Sequence, residues 1–544
     1  MGRGAADSGA YARRVAPART WRKARIVPPI STGGFLAILV LLTSAYFIPR
    51  GISWNSDTHI FLTASMVDRG SLNLDPFAHM TGDIAFAHGH YYADKAPGLS
   101  IAMIPAYLLL KYTLLAGHSY ASLYALPVTM RPDFLVRYCL AILYAGVPTA
   151  LLTALLYGFF SRLGVPDFWR AVIALTYAFG TFARAFTGEL FSHQLSALLV
   201  FGAFVLLYRV RQNELPARAV TLAGLLLGYA IITEYPTALI AAALGLYALI
   251  GSTSPRITAA RLISGALPAL LICAVYNALT FGSPLSLGYG HLDGPRMFRT
   301  GQAQGFYGIT LPHPDAIWQT TFGPYRGIFF LSPFLVLAIP GFVLLWRVAR
   351  WRAEWMLWLG IVVSYGLFSV SYFEWNGGYS MGPRQFLPAL PFLMLPIGGM
   401  FTRTPRIGWR VLALMLSIYS IVVVELATAV GPLVDPAYLS PITQWVLPRL
   451  AGMTPSPSSA LIPSGLSAVI FRHAPLFLTA DLDNNWGMLF GLPGLAQLVP
   501  LLFVLGVLTI WRWQAASRHV TVSGNGARAA PLRQSEDDTP ARLR

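Results

Sequence analysis

The sequence predicts an all-α polytopic membrane protein, and three observations carry that prediction. Apolar runs of roughly 16–22 residues recur along most of the 544 residues, each about long enough to cross a bilayer as a helix. Only 11% of residues are charged and 55% are hydrophobic, whereas a soluble protein carries about 25% charge. The arginines gather in short segments between the apolar runs: Arg209, Arg211 and Arg218; Arg256 and Arg261; Arg347, Arg350 and Arg352; Arg403, Arg406 and Arg410. That is the pattern of cytoplasmic loops. It also accounts for the net charge of +17 without nucleic acid.

Counting loops by arginine orders the spans. Outward spans fall near 33–49, 170–187, 219–233, 263–281, 355–373 and 411–430. Inward spans fall near 134–160, 190–210, 236–250, 327–346, 385–400 and 486–511. A further apolar stretch, 99–115, breaks the parity: either it is re-entrant or 116–133 makes a short return. The expectation is a bundle of about 11–13 transmembrane helices. Loops 50–98, 282–326, 374–384 and 431–485 then share the extracytoplasmic face, with 50–98 folded into short helices. The division is a tail at 1–32, a catalytic-looking module over 33–400, a variable region over 401–511 and a tail at 512–544. Both tails are rich in arginine and turn formers and are expected to be unstructured. The two cysteines, Cys139 and Cys273, lie in apolar runs and imply no disulfide framework.

The loop 50–98 holds the densest chemistry. Asp57, with His59 two residues on, follows the first span. A carboxylate there can accept a proton, hold a divalent cation or simply be solvated. The loop ends Tyr91-Tyr92-Ala93-Asp94-Lys95-Ala96-Pro97-Gly98. The chain has only three lysines, Lys23, Lys95 and Lys111, so Lys95 beside Asp94 stands out as a point charge for a phosphate oxygen. Glu189 and His193, four apart, are expected on one helix face at an outward turn. The loop from Tyr372 to Arg384 carries Gly377, Gly378 and Gly382, whose N–H groups suit an anion, and an outward arginine, Arg384. Its aromatics Trp375 and Tyr379 suit a sugar ring or the membrane interface. Two weaker signals are Arg326, another outward arginine, and Asp481 with Asp483, expected as a solvated turn.

Asp57, the run Tyr91 to Gly98, Leu190-Phe191-Ser192-His193, and Gly377-Gly378 through Gly382-Pro383-Arg384 together resemble bacterial C-type (GT-C) glycosyltransferases. The nearest group is glycosyltransferase family 39, which includes protein O-mannosyltransferases and lipid A aminoarabinose transferases. The resemblance is strongest over residues 33–400. It implies a bacterial inner-membrane enzyme that moves a sugar, with inversion, from a polyprenyl-phosphate donor to a glycan, lipid or protein acceptor on the extracytoplasmic face. It implies Asp57 as catalytic base or partner of a divalent cation such as Mg or Mn, Lys95 on the donor phosphate, and Glu189 as a second acid. Arg384 is expected to join Lys95 on that phosphate. His59, Tyr92, Asp94, His193, Trp375 and Tyr379 are expected around the substrate. The chain has Ser56-Asp57 where some relatives have paired acids, which leaves metal use open. The alternatives are a transporter or flippase of lipid-linked saccharides, which would want ionisable residues at span centres and repeated halves, and a glycan polymerase or ligase.

Overall fold

The computed structural model describes residues 30–48, 53–125, 133–402, 406–457 and 480–526, with side chains to Gln514. Thr32–Gln514 forms the first of two units and holds nearly all of the described residues. Most of the expected tails lie outside the described residues, although the last helix, Val499–Gly526, runs on past 512.

Helices make up nearly all of the first unit. The first part holds α1 (Thr32–Tyr46), α2 (Trp54–Arg69), a hairpin of β1 (Ile84–Ala87) and β2 (His90–Ala93), α3 (Gly98–Thr113) and α4 (Asp133–Ala141). Helix α4 continues through a π-turn at Ile142–Gly146 into α5 (Val147–Leu163). Then come α6 (Asp167–Gly180), α7 (Ser192–Arg211), α8 (Ala219–Thr233), α9 (Ala238–Ile250) and α10 (Pro255–Phe281). After two short helices, α11 (Arg296–Gln302) and α12 (Pro314–Thr321), follow α13 (Ile328–Leu331), α14 (Ala338–Trp346), α15 (Arg352–Ser371), α16 (Leu390–Gly399) and α17 (Ile407–Ala429). Among the described residues, six segments are long and apolar enough to cross a membrane: Asp133–Leu163, Ser192–Arg211, Pro255–Phe281, Ala349–Ser371, Ile407–Ala429 and Gly494–Gln514. Five shorter apolar helices accompany them. The protein is membrane-embedded.

Most expected spans coincide with helices to within a few residues, but the helix expected at 263–281 begins at Pro255, 327–346 is broken into three pieces, and the last helix runs over Val499–Gly526 in place of 486–511. Loops assigned to the cytoplasmic side meet at one end of the bundle, where Arg211 stacks on Tyr247 and reaches Glu354 at 4.0 Å. Loops assigned to the opposite face meet at the other end, as the site below shows. Segment 99–115 is also resolved. Helices α2 and α3 lie side by side, joined by His59 to Ser100 and by Lys111 to Asp68 at 2.8 Å. Tyr138 of α4 donates to the carbonyl of Ala45 at the end of α1. The chain therefore enters α4 at the end where it left α1, and α2 and α3 add no net crossing.

The first loop contains more than the expected short helices. Ile84 pairs with Ala93 and Ala87 with His90. The connecting residues His88 and Gly89 both have positive φ, 53° and 83°, the geometry of a tight two-residue hairpin turn. A core of its own, including Ile60, Phe61, Phe77, Leu99, Met103 and Tyr107, holds this loop against the bundle.

Close backbone contacts set the height of the site. Gly224 and Gly228 of α8 face Leu262, Gly265 and Ala266 of α10; a Cβ at Gly228 would lie 2.6 Å from the Ala266 carbonyl. Such small-residue seams let membrane helices approach closely. At the site end, a Cβ on Gly98 would lie 2.6 Å from the carbonyl of Ile232, so only glycine lets α3 start against the end of α8. Tyr229 clips the same junction by donating to the Gly98 carbonyl at 2.8 Å.

Candidate functional site

A cavity of about 270 Å³ opens where these segments converge. Its polar lining includes Asn55 and His59 of α2, Lys95, Ser192 and His193 of α7, Glu234, Glu374 and Arg384. Pro236, Ala238, Leu239 and Phe368 form an apolar side at the start of α9 and near the end of α15. Leu239 is 42% exposed on the flank of the bundle.

Lys95 is held between Asp94 at 2.9 Å and Asp83 at 3.1 Å. Burial would lower its pKa, but Asp83 and Asp94 outweigh that and push it up, so it stays charged. Asp94 is pushed up to about 6 by burial, against the pull of Lys95 and with the push of Asp83. Across the cavity, Arg384 stands 3.7 Å from Glu374 and lies over the Phe191 ring. Burial raises the Glu374 pKa, with Arg384 and Lys95 opposing. Lys95 and Arg384, distant in sequence, thus line one space, and each arrives with carboxylates of its own.

The other acid lining the cavity is Glu234, in the one-residue turn between α8 and the Tyr235–Thr237 turn that leads into α9. Ser192 donates a short hydrogen bond to it, and His193 Nδ1 lies 3.1 Å away, near enough for charge but off the line for a hydrogen bond. Burial would raise the Glu234 pKa; His193 and the Ser192 hydroxyl reverse this and hold it down at about 2. His59 is lowered to about 4 by burial and then by Lys95, so it is neutral at physiological pH, 3.2 Å from the Ser100 hydroxyl.

Asp57 lies elsewhere. Residues 55 and 59 are one turn apart and share the cavity face of α2, while 57 falls on the other face. Its buried carboxylate forms a short ion pair with Arg137. Arg137 also lies 3.6 Å from Asp133. Glu189 joins this second network, not the cavity: its pKa is well above the ordinary range through burial first, then Asp483, with Arg137 opposing. The expectation that Glu189 and His193 share a helix face is corrected, because α7 begins at Ser192 and Glu189 precedes it. Three further expectations change. The N–H groups of Gly377 and Gly378 are spent on the Glu374 carbonyl and the Asn376 side chain, not left for an anion. Arg326 is fully buried and donates to the carbonyls of Asn376, Gly378 and Val434, fastening that loop. Asp481 is exposed, as expected of a solvated acid, and pairs with Arg449 at 2.7 Å, whereas Asp483 is buried.

The remaining expected residues support the cavity from outside its lining. Tyr92 packs edge-on against Phe281, Trp375 against Tyr325, and Tyr379 is exposed. Glu234, Tyr289, Phe306 and Tyr307 line the cavity without having been expected. Glu234 carried the same signal as Glu189, an acid in a short turn between apolar spans. The others had none, because their loop 282–326 is ordinary in composition. Among the described residues, no three of His, Cys, Asp and Glu converge as ligands for a metal ion, so no step is drawn through one. No protein-family model matches the chain, and no curated protein does.

Proposed function

We propose that the chain is an integral-membrane glycosyltransferase that takes a sugar from a polyprenyl-phosphate donor and passes it to a hydroxyl acceptor on the extracytoplasmic face of a bacterial inner membrane. One observation carries this: a single cavity joins two cations, Lys95 and Arg384, to an apolar side that ends on the exposed flank of the helices. A lipid phosphate needs both at once, a charged clamp for its head and an apolar path for its tail. The low share of ionisable residues in the spans argues against a transporter.

In this reading Lys95 and Arg384 neutralise the departing phosphate as the bond from the anomeric carbon to the phosphate oxygen breaks. The acceptor oxygen forms the new bond from the opposite face and gives its proton to a carboxylate. The resemblance assigns that role to Asp57. The cavity geometry favours Glu374, which lines the space, has a raised pKa and is not tied up in a short ion pair. Asp57 then positions α4 against α2 through Arg137. Glu234, held ionised, stabilises positive charge that develops on the sugar ring.

The test is a purified sample in lipid nanodiscs given a radiolabelled polyprenyl-phosphate sugar. Release of polyprenyl phosphate that is lost on replacing Lys95 or Arg384 is expected. Donor that neither binds nor turns over, with a panel of hexoses and pentoses, would overturn the proposal.

A further inference from the structure

A second, open cleft of about 480 Å³ adjoins the cavity and shares Tyr289, Phe306 and Tyr307 with it. We propose that this cleft receives the acceptor, and that the acceptor is a saccharide lying on those aromatic rings. The proposal rests on the glycosyltransferase reading above and adds the substrate that reading leaves open.

The wall between the two spaces is a built feature. Residues 306–309 form a tight turn in which Phe306 and Ile309 exchange backbone hydrogen bonds of 3.0 Å. Tyr307 at its tip has φ +49°, a conformation that bulky side chains rarely adopt. Its surroundings hold it there. Gln302 donates to the Tyr307 carbonyl at 2.8 Å, Tyr372 donates to Gln302 at 2.9 Å, and Phe373 N–H donates to the Gly308 carbonyl at 2.9 Å. The segment that carries Glu374 thus braces the wall, so a molecule on the far side lies within one aromatic layer of the proposed base. Backbone strain maintained by this many contacts is a mark of functional positioning.

The linings differ in chemistry. The cavity holds Lys95, Arg384, Glu234 and Glu374. Among the residues lining the cleft, the one charged side chain is Arg299, half exposed and 3.9 Å from Asp293. No carboxylate lines the cleft, and its aliphatic side chains are only Leu292 and Ala303. It offers rings, backbone and Gln302, whose amide keeps a second hydrogen and a second lone pair. Aromatic faces with a few neutral polar groups suit a ring that is apolar on its faces and hydroxylated at its edge. Phe306 is 70% exposed, so the cleft opens to solvent and not onto an apolar helix flank.

Gly290 permits a direct test. A Cβ there would sit 3.5 Å from the Tyr307 ring, an ordinary contact, so Gly290→Leu fills the cleft without touching Lys95, Arg384 or Glu374. Phe306→Ala removes an exposed ring and carries little risk to folding. In nanodiscs, saturation-transfer NMR with α-mannobiose and β-cellobiose should show contact with the wild type and not with Gly290→Leu. In the transfer assay, the acceptor KM should rise roughly tenfold for Gly290→Leu with polyprenyl phosphate affinity unchanged, and about fivefold for Phe306→Ala. Saccharide contact that is absent from the wild type or survives in Gly290→Leu overturns the proposal. So does competition for the cleft by a Ser/Thr peptide in place of a saccharide. Failure of the wild type to bind polyprenyl phosphate, with saccharide contact intact and lost in Gly290→Leu, would count against the donor and not the cleft.

Discussion

Arg384 offers the cleanest perturbation of the proposed donor clamp. Lys95 neutralises two acids, the buried Asp94 and the half-buried Asp83, so removing it leaves two carboxylates without a cation and disturbs folding and binding together. Arg384 has one such partner, Glu374, at 3.7 Å. When the arginine goes, Glu374 loses one of the two cations that oppose the upward push of burial on its pKa, and Lys95 remains. The Arg384→Ala variant therefore strands one carboxylate where the Lys95 variant strands two, and should be the better folded of the two. A charge-assisted contact to phosphate contributes about 1.5–3 kcal/mol. At about 1.4 kcal/mol per decade, affinity for polyprenyl phosphate should fall roughly tenfold to a hundredfold. Arg384→Lys keeps the charge but loses the two-pronged fork and the stacking on Phe191, so a loss of about threefold to tenfold is expected. Equilibrium binding of labelled polyprenyl phosphate to nanodisc samples reads both, with Arg384→Ala/Glu374→Gln as the charge-balanced control. If Arg384→Ala binds the lipid phosphate within about twofold of wild type, the two-cation clamp is wrong.

Three further outcomes follow from the same geometry. Glu374→Gln should cut transfer by about a hundredfold or more with donor binding kept, while Asp57→Asn should chiefly lower thermal stability by breaking the ion pair of the buried Asp57 with Arg137; the opposite pattern in turnover and melting temperature would return the base to Asp57. Asp94, pushed to about 6, protonates as pH falls through that value and releases part of Lys95, so phosphate affinity should rise toward acid pH. Asp94→Asn should flatten that limb, and an identical pH profile in the variant would dismiss it. The same raised pKa adds folding stability that is complete below the ordinary aspartate range and is lost as pH rises through about 6. Gly98→Ala drives a Cβ to 2.6 Å from the Ile232 carbonyl and should cost about 1–3 kcal/mol of stability, measured against Gly360→Ala, where nothing lies within 4 Å.

Hydropathy alone made the helical, membrane-embedded character of the chain and the approximate positions of most of its apolar helices legible. These are properties of stretches of roughly 20 residues, read by a bilayer much as they are read along the chain. Which side chains meet was decided by packing between distant segments. Asp57 and His59 are two residues apart, yet the turn of α2 sends one to Arg137 and the other to the cavity. Glu189 and His193 part company because α7 starts between them. Glu234 becomes a site residue only because Gly98 lets α3 abut α8 and because Ser192 and His193 arrive from α7. The glycines of 377–378 bind no anion because their own turn consumes their N–H groups, and Gly378 instead makes room for Glu374, whose carboxylate would lie 2.6 Å from an added Cβ. A helix face, a helix start and a spent hydrogen bond are three-dimensional facts, set by what the rest of the chain leaves free.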